Sequence, residues 1–467
     1  MSTVAIFILP NPGGLLATLD LANRLRAARH VVHYFGLADS AAEVRARGFR
    51  FTIVLEAYFP GGFLREAEAL ERLSPGLAAL RAQRRFIARI NAFVDNLLTR
   101  GGDAFREELQ RVAPDLVIFA STDEWMEWPA FVAWGAGLAC VYFQDSLNPR
   151  AKSGLPPISS ALIPADNRVS RLRISFAWAR LQFEERLWSG ALSLLRLSID
   201  FDAVRRRLAA RYGYPLGECG GDRRAPELPE LIAWPRALEF PCREAPGQIY
   251  VGASLSLNRS EEPFPWDRLD DDRPIYYCAL GSLVWFGEEK YRRFFQTVID
   301  VAQAGPHRQW VLATGEGLDP GALRSPSSNI VIVRRAPQLA LLRRARLMIT
   351  HGGANTVKEC AYFGVPMIAF PLGYDHPGNV ARMVHRGLGL RGDRSKLTPR
   401  YLERLISKIE DSTTISEHID RVRGLLREEH ESAPAVRFIE ALLAEKKIAD
   451  DDEKKTGAFG GSRTSQL

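Results

Sequence analysis

Residues 349–379 read ITHGGANTVKECAYFGVPMIAFPLGYDHPGN, and the order of these residues decides the fold. Leu347 to Thr350 is a short apolar run of the kind that forms a buried strand. Gly352 and Gly353 follow at once, and Asn355 and Thr356 are residue types that cap helix N-termini. The spacing predicts a helix from Val357 to Phe363, closed by Gly364. Val365-Pro366 then leads into a second apolar run, Met367 to Phe370. Strand, glycine turn, helix and strand make the repeating unit of a parallel α/β sheet.

Such a turn is also an anion site. The first N–H groups of the helix have no internal partners, and the helix dipole favours negative charge there. His351, at the strand end, adds a donor. Glu359 lies about one turn into the helix, and its carboxylate suits a pair of sugar hydroxyls better than a phosphate. A diphosphate flanked by a ribose fits that arrangement. Asp375 and His376 follow the next strand, at the sheet edge where ligands of open α/β sheets bind.

Pro337-Gln338, His351, Gly353, Asn355-Thr356, Glu359, Gly364-Val365-Pro366, Pro371, Asp375 and Asn379 form an ordered set. It resembles the donor-binding motif of the nucleotide-sugar-dependent glycosyltransferases, the family of the UDP-glycosyltransferases and the bacterial natural-product (macrolide-type) enzymes. The resemblance implies the α/β GT-B fold: two facing Rossmann-like doubly wound domains with the active site in the cleft between them. It implies that Ser282, His351, Gly353, Asn355 and Thr356 hold the donor diphosphate. Arg335, Ala336, Gln338 and Glu359 would take the base and ribose, and Asp375 and His376 would read the sugar. Two positions depart from the family pattern. His376 replaces the usual Gln, a change that accompanies galactose-type donors in plant members. Arg335 replaces the Trp of the plant pattern, although a guanidinium also stacks on a pyrimidine.

The rest of the chain is read around this centre. Its 467 residues, 46% hydrophobic and 25% charged, suffice for two globular domains. The net charge of +7 comes from intermixed acids and bases, without the basic tract and interleaved aromatics of a nucleic-acid binder. None of the five cysteines forms a CxxC pair, so neither a disulfide framework nor a zinc site is implied. Val4 to Leu9 is too short for a signal-peptide core and reads as a first strand, and no segment has the length of a membrane span. The expected location is cytoplasmic.

Strand and helix signals alternate from residue 4 to about 143, with a long helical stretch over Leu64 to Val112. Residues of about 150–215 interrupt the rhythm as a helical insertion. Arg171 to Tyr212 is basic and amphipathic, a pattern that can touch a membrane, but Glu184, Glu185, Asp200 and Asp202 dilute the charge. Packing on their own domain is the favoured reading of these helices. Leu231 to Pro241 and Ile249 to Gly252 read as the last strands of a first domain, 1–253. Residues 254–272 read as a linker and 273–430 as the donor-binding domain. The family fold implies that a helix over 431–447 returns to the first domain. The charged, then Gly/Ser-rich 448–467 reads as a disordered tail.

Many family members carry a catalytic His in a Gly-His-x-x-Pro pattern after the first strand. Aligning Pro12-Gly13 with it puts Gly14 at the His position, and glycine takes no proton. Three explanations stand. Another carboxylate serves as base, with Asp123, after the strand Leu116 to Ala120, ahead of Asp20 on the first helix. Or the acceptor ionises without help, as a carboxylate, phosphate or acidic phenol does. Or the chain binds donor without transferring it, as a partner of another transferase. His30 and His33 read as packing residues.

The expected function is therefore inverting transfer of a hexose from a UDP- or dTDP-linked donor to a small, partly apolar acceptor, with no metal or other cofactor. The nucleotide sugar and the acceptor are the expected partners. A sugar-nucleotide epimerase of the same fold, or a non-catalytic donor-binding protein, is the alternative.

Overall fold

Two parallel sheets organise the chain in the computed structural model, which describes residues 1–459 apart from 11, 64–65, 67–68, 71–75, 101, 121–126, 148–152, 195–200, 216–227, 243–246, 282–286 and 325–326. The first sheet runs β3 (Arg50–Ile53), β2 (Val31–Gly36), β1 (Thr3–Ile8), β4 (Leu116–Ala120), β5 (Ala139–Gln144), β6 (Glu230–Ile232), β7 (Gln248–Tyr250). The second runs β10 (Ile330–Val333), β9 (Gln309–Ala313), β8 (Ile275–Ala279), β11 (Ala345–Thr350), β12 (Met367–Ala369), β13 (Gly389–Arg391). Strand order reverses beside β1 and beside β8, the doubly wound pattern that opens a ligand crevice at the C-terminal strand ends.

Helices cover both faces of each sheet, which is why the strands are apolar without alternation. Ala5 and Phe7 of β1 face one core with Phe35, Phe105 and Trp128, while Val4, Ile6 and Ile8 face another with Leu19 and Leu25. The first half contributes α1 (Pro12–Ala27), α2 (Ala38–Ala46), α3 (Leu77–Arg100), α4 (Asp103–Val112), α5 (Trp128–Gly135), α6 (Arg168–Leu194) and α7 (Phe201–Tyr212). The second contributes α8 (Glu288–Ala304), α9 (Gln338–Leu342), α10 (Ala354–Phe363), α11 (His376–His385), α12 (Pro399–Glu410), α13 (Thr413–Glu431) and α14 (Pro434–Phe459).

Several elements differ from the sequence reading. The stretch Leu64 to Val112 is not one helix: α3 and α4 meet at Gly102, whose φ of 69° is left-handed. Leu231 to Pro241 is strand only through Ile232, because Pro235 diverts the chain into a short 3-10 turn at Arg236–Leu238. The polar segment 254–272 is packed down: Ser254 Oγ donates to the Ala17 carbonyl at 2.7 Å, and Leu255 is buried. The tail expected from 448 is helical as far as Phe459, continuing α14 with no proline to stop it. Residues 460–467 lie outside the described residues. Val436, Ile439 and Leu443 of α14 sit in the core with Leu19 and Leu25 of α1.

Candidate active site

The quoted stretch lies where the two sheets' C-terminal edges meet. Helix α10 starts three residues earlier than its spacing predicts, with Gly353 as the N-cap at φ −63°, ψ 147° and no side-chain cap. Asn355 and Thr356 therefore lie in its first turn. The Asn355 amide crosses between domains instead, its Nδ2 donating to the Gly13 carbonyl at 3.1 Å. Gly13 belongs to the first turn of α1, so two helix N-termini abut at this point, and both dipoles favour an anion there.

His351 is held by two glycines. A Cβ built on Gly353 would lie 2.5 Å from His351 Nε2, and one on Gly281, at the end of β8, would lie 2.7 Å away. Only residues without side chains leave the ring this slot. Thr350 Oγ1 lies 3.3 Å from His351 Nδ1, and the ring meets His376 edge to face at 4.6 Å. Burial, then the neighbouring His376, pushes the His351 pKa well below the usual imidazole value, so the ring is neutral. Ser282 and Asp123 lie outside the described residues.

The sugar-reading pair is tied to the same turn. Asp375 Oδ2 accepts from Asn379 Nδ2 at 2.8 Å, and that amide also donates to the Gly352 carbonyl at 3.2 Å. Burial raises the Asp375 pKa against the pull of the Asn379 bond. His376 is buried, and its Nδ1 accepts from the Leu372 N–H at 3.3 Å. That leaves Nε2 as the ring nitrogen directed elsewhere, 3.7 Å from Asp375 Oδ1. Burial and then Arg394 lower the His376 pKa to about 4.

On the nucleoside side, Glu359 is 2% exposed and already bonded. Arg259, from the segment between the domains, donates to Oε1 at 2.5 Å and Oε2 at 3.2 Å. Gln338 Nε2 donates to Oε2 at 2.6 Å. Glu261 accepts from the N–H groups of Leu339 and Ala340 at 2.6 and 3.0 Å. Arg335 is exposed and lies near Glu262 and Glu316, while Ala336 packs on the domain core.

Lys358, fully buried, crosses the cleft: its Nζ donates to the Ala233 carbonyl at 2.9 Å. Burial pushes its pKa down to about 8, opposed by Asp145, Glu359, Asp375 and Asp20 in that order. Asp145 is the residue after β5, and burial raises its pKa, opposed by Lys358 and assisted by Asp375. It is thus a carboxylate of the first domain placed among charged groups of the second. Its neighbour Gln144 is fully buried, and neither polar atom of its side chain has a hydrogen-bond partner among the described residues. Asp20 is engaged: Arg24 Nε reaches its two oxygens at 3.0 and 2.9 Å. Asp145 had a sequence signal, since it stands two residues past the apolar run Cys140 to Phe143. Lys358 and Arg259 had none, because their partners are 125 and 100 residues away.

A family model described as UDP-glucoronosyl and UDP-glucosyl transferase matches residues 232–429. NDP-glycosyltransferase YjiC of Bacillus subtilis (strain 168) is 26% identical over 222 residues, 47% of this chain and 54% of that protein. The chain thus spans about half the length of this relative. Zeaxanthin glucosyltransferase of Pseudescherichia vulneris is 28% identical over 344 residues, covering 72% of this chain and 76% of the relative. Among solved structures, the glycotransferase of kitacinnamycin aligns over 94% of this chain and 98% of its own, with TM-score 0.67 and 22% identity, a likeness of fold. The matched segment begins at the last residue of β6, where Trp234 and Leu238 leave the first sheet and join the core of the second domain. Residues 232–429 match the UDP-glucoronosyl and UDP-glucosyl transferase family model, within a chain of GT-B fold.

Proposed function

We propose that the protein transfers a hexose from a UDP- or dTDP-linked donor to a small, partly apolar acceptor, with inversion and without a metal. The observation that carries this reading is the slot at His351: a neutral imidazole between Gly281 and Gly353, at the uncapped N-terminus of α10 and against that of α1. In this role the α10 dipole and backbone N–H groups take the charge that develops on the departing diphosphate. Glu359 takes the ribose, and Asp375 with His376 Nε2 takes the sugar.

In the transfer step the acceptor oxygen attacks C1 of the sugar from the face opposite the diphosphate. The C1–O bond breaks with its electron pair moving onto the diphosphate, and the acceptor proton goes to a carboxylate. Asp145 suits that last role. It stands on the first-domain side of the cleft, faces Lys358 and Asp375, and has a raised pKa that makes it a better base than an exposed aspartate. The unpartnered Gln144 amide beside it can fix a polar group of the acceptor. The relative named for zeaxanthin supports an acceptor with a large apolar part.

A second reading, donor binding without transfer, follows from Gly14 at the position of the family's catalytic His. One experiment separates the two. The melting temperature is followed with UDP-, dTDP- and GDP-sugars, and release of nucleoside diphosphate is then measured with apolar alcohols and phenols as acceptors. A stabilising donor with acceptor-dependent release supports transfer. Stabilisation without release from any acceptor favours the binding protein, and no stabilisation by any sugar nucleotide rules out both.

A further inference from the structure

Helix α6 carries apolar side chains on two opposite faces. Ile174, with the half-buried Ala177, Trp178 and Leu181, faces the protein, and Trp178 Nε1 donates to the Leu155 carbonyl at 2.9 Å. At about 100° per residue, Val169, Leu172, Phe176, Phe183 and Leu187 project from the far side, roughly opposite Ile174. Their exposures are 58, 71, 71, 62 and 56%. They make one stripe, about 27 Å long from Val169 to Leu187 at 1.5 Å per residue. Half of the exposed large apolar side chains among the described residues sit on this helix. That concentration marks a contact surface, where scattered single residues would mark nothing.

The charges beside the stripe identify what covers it. By the same helical angle, Arg168 and Arg186 flank one edge and Arg173 and Arg180 the other. The described helix carries two acids, Glu184 and Glu185, both outside the stripe, and Glu184 already accepts from Arg180 Nε at 2.7 Å. A second copy laid against this face would bring arginine edges against arginine edges. A phospholipid surface does the reverse: acyl chains receive the Phe and Leu side chains, and headgroup phosphates lie level with the arginines on both sides. Of the acids that dilute the charge in the sequence, Glu184 and Glu185 lie on this helix, and its period puts both outside the stripe. No helix among the described residues is long and apolar enough to cross a membrane, so the contact is in the plane of the surface.

We infer that α6 docks the protein on an anionic membrane surface, stripe inward. This surface is separate from the donor slot and does not depend on the transfer reading. The test is flotation of the full chain with phosphatidylcholine vesicles, with and without phosphatidylglycerol. Phe176→Asp/Phe183→Asp and Arg168→Gln/Arg173→Gln are run beside the wild type, with the melting temperature of each as a folding control. All four positions are exposed, so both variants should fold. The expected result is flotation of the wild type with the anionic vesicles, weakened by salt. Partitioning should fall about tenfold or more in the Phe variant, and measurably in the Arg variant. The inference is overturned if the wild type does not float with anionic vesicles. It is equally overturned if the Phe variant floats as well as the wild type. A wild-type dimer that the Phe variant dissociates, with no vesicle binding by either, would assign the stripe to a second copy instead.

Discussion

Arg259 holds Glu359 through both terminal nitrogens, at 2.5 and 3.2 Å, while Gln338 takes a third bond at 2.6 Å. A carboxylate offers about four acceptor positions, so a ribose diol cannot bind Glu359 through both hydroxyls while all three bonds persist. A ribose held by both hydroxyls therefore has to displace at least one of these three bonds. Removing Arg259 leaves Glu359 buried and uncompensated, which costs about 3–5 kcal/mol in comparable pairs. Arg259→Ala is therefore expected to melt well below the wild type. It should also gain more from saturating nucleoside diphosphate than the wild type does, because the ribose fills the place left open. Equal nucleotide-induced shifts in the two proteins would show that the ribose does not use Glu359.

Asp145→Asn tests the base. It should bind donor like the wild type and lose about 10²–10⁴ in kcat with an alcohol acceptor. With an acceptor already ionised at neutral pH the loss should be small, since no proton has to be taken. Burial raises the Asp145 pKa, and the base acts in its ionised form. The kcat/KM profile of the wild type should thus rise with pH through a carboxyl pKa above the ordinary aspartate range. An Asn variant with wild-type rates on alcohols would remove Asp145 from the mechanism.

Gly353→Ala probes the His351 slot. The backbone there, φ −63°, ψ 147°, accepts any L-residue, so the fold should survive. The new methyl would lie 2.5 Å from His351 Nε2, with Gly281 behind the ring. Overpacking of this kind costs about 1–3 kcal/mol, and the ring shift should weaken donor affinity by about tenfold for each 1.4 kcal/mol lost at the site. Calorimetric titration with the nucleotide sugar reads this directly, and an unchanged Kd would separate His351 from donor binding.

The buried histidines predict acid sensitivity. Burial, with Arg24 2.7 Å from Nε2, holds His430 near a pKa of about 4, and burial with Arg394 holds His376 near the same value. Both are lowered from the unfolded value of 6.5, so the unfolded chain binds more protons between those limits. The stabilising contribution of the neutral rings is complete above pH 6.5 and is lost as pH falls towards 4, by up to about 1.4 kcal/mol per pH unit for each group. Urea midpoints at pH 7, 6 and 5 should fall in that order, and His430→Gln should flatten the decline. His430 lies against Tyr362 and Arg24 and takes no part in the donor slot, so the variant isolates the linkage.

Local chemistry made much of this protein readable from its chain. The strand, glycine turn and helix of residues 349–379 are encoded within single turns, where apolar spacing and glycine placement act between near neighbours. The two α/β domains follow from the same alternation. Boundaries were less legible: α10 begins at Ala354 because Gly353 caps it, while Asn355, a good cap by type, turns its amide to Gly13. What only the tertiary structure decided are contacts between distant segments. Asn355 and Gly13 are 342 residues apart, Lys358 and Ala233 125, Arg259 and Glu359 100. No periodicity encodes which carboxylate an arginine of a polar linker will reach. The same holds for α6, whose sequence is apolar on two faces. Which face the domain covers, and which it leaves to solvent, depends on Ile174 and Trp178 docking near Leu155, a choice made by packing and invisible to the helical period.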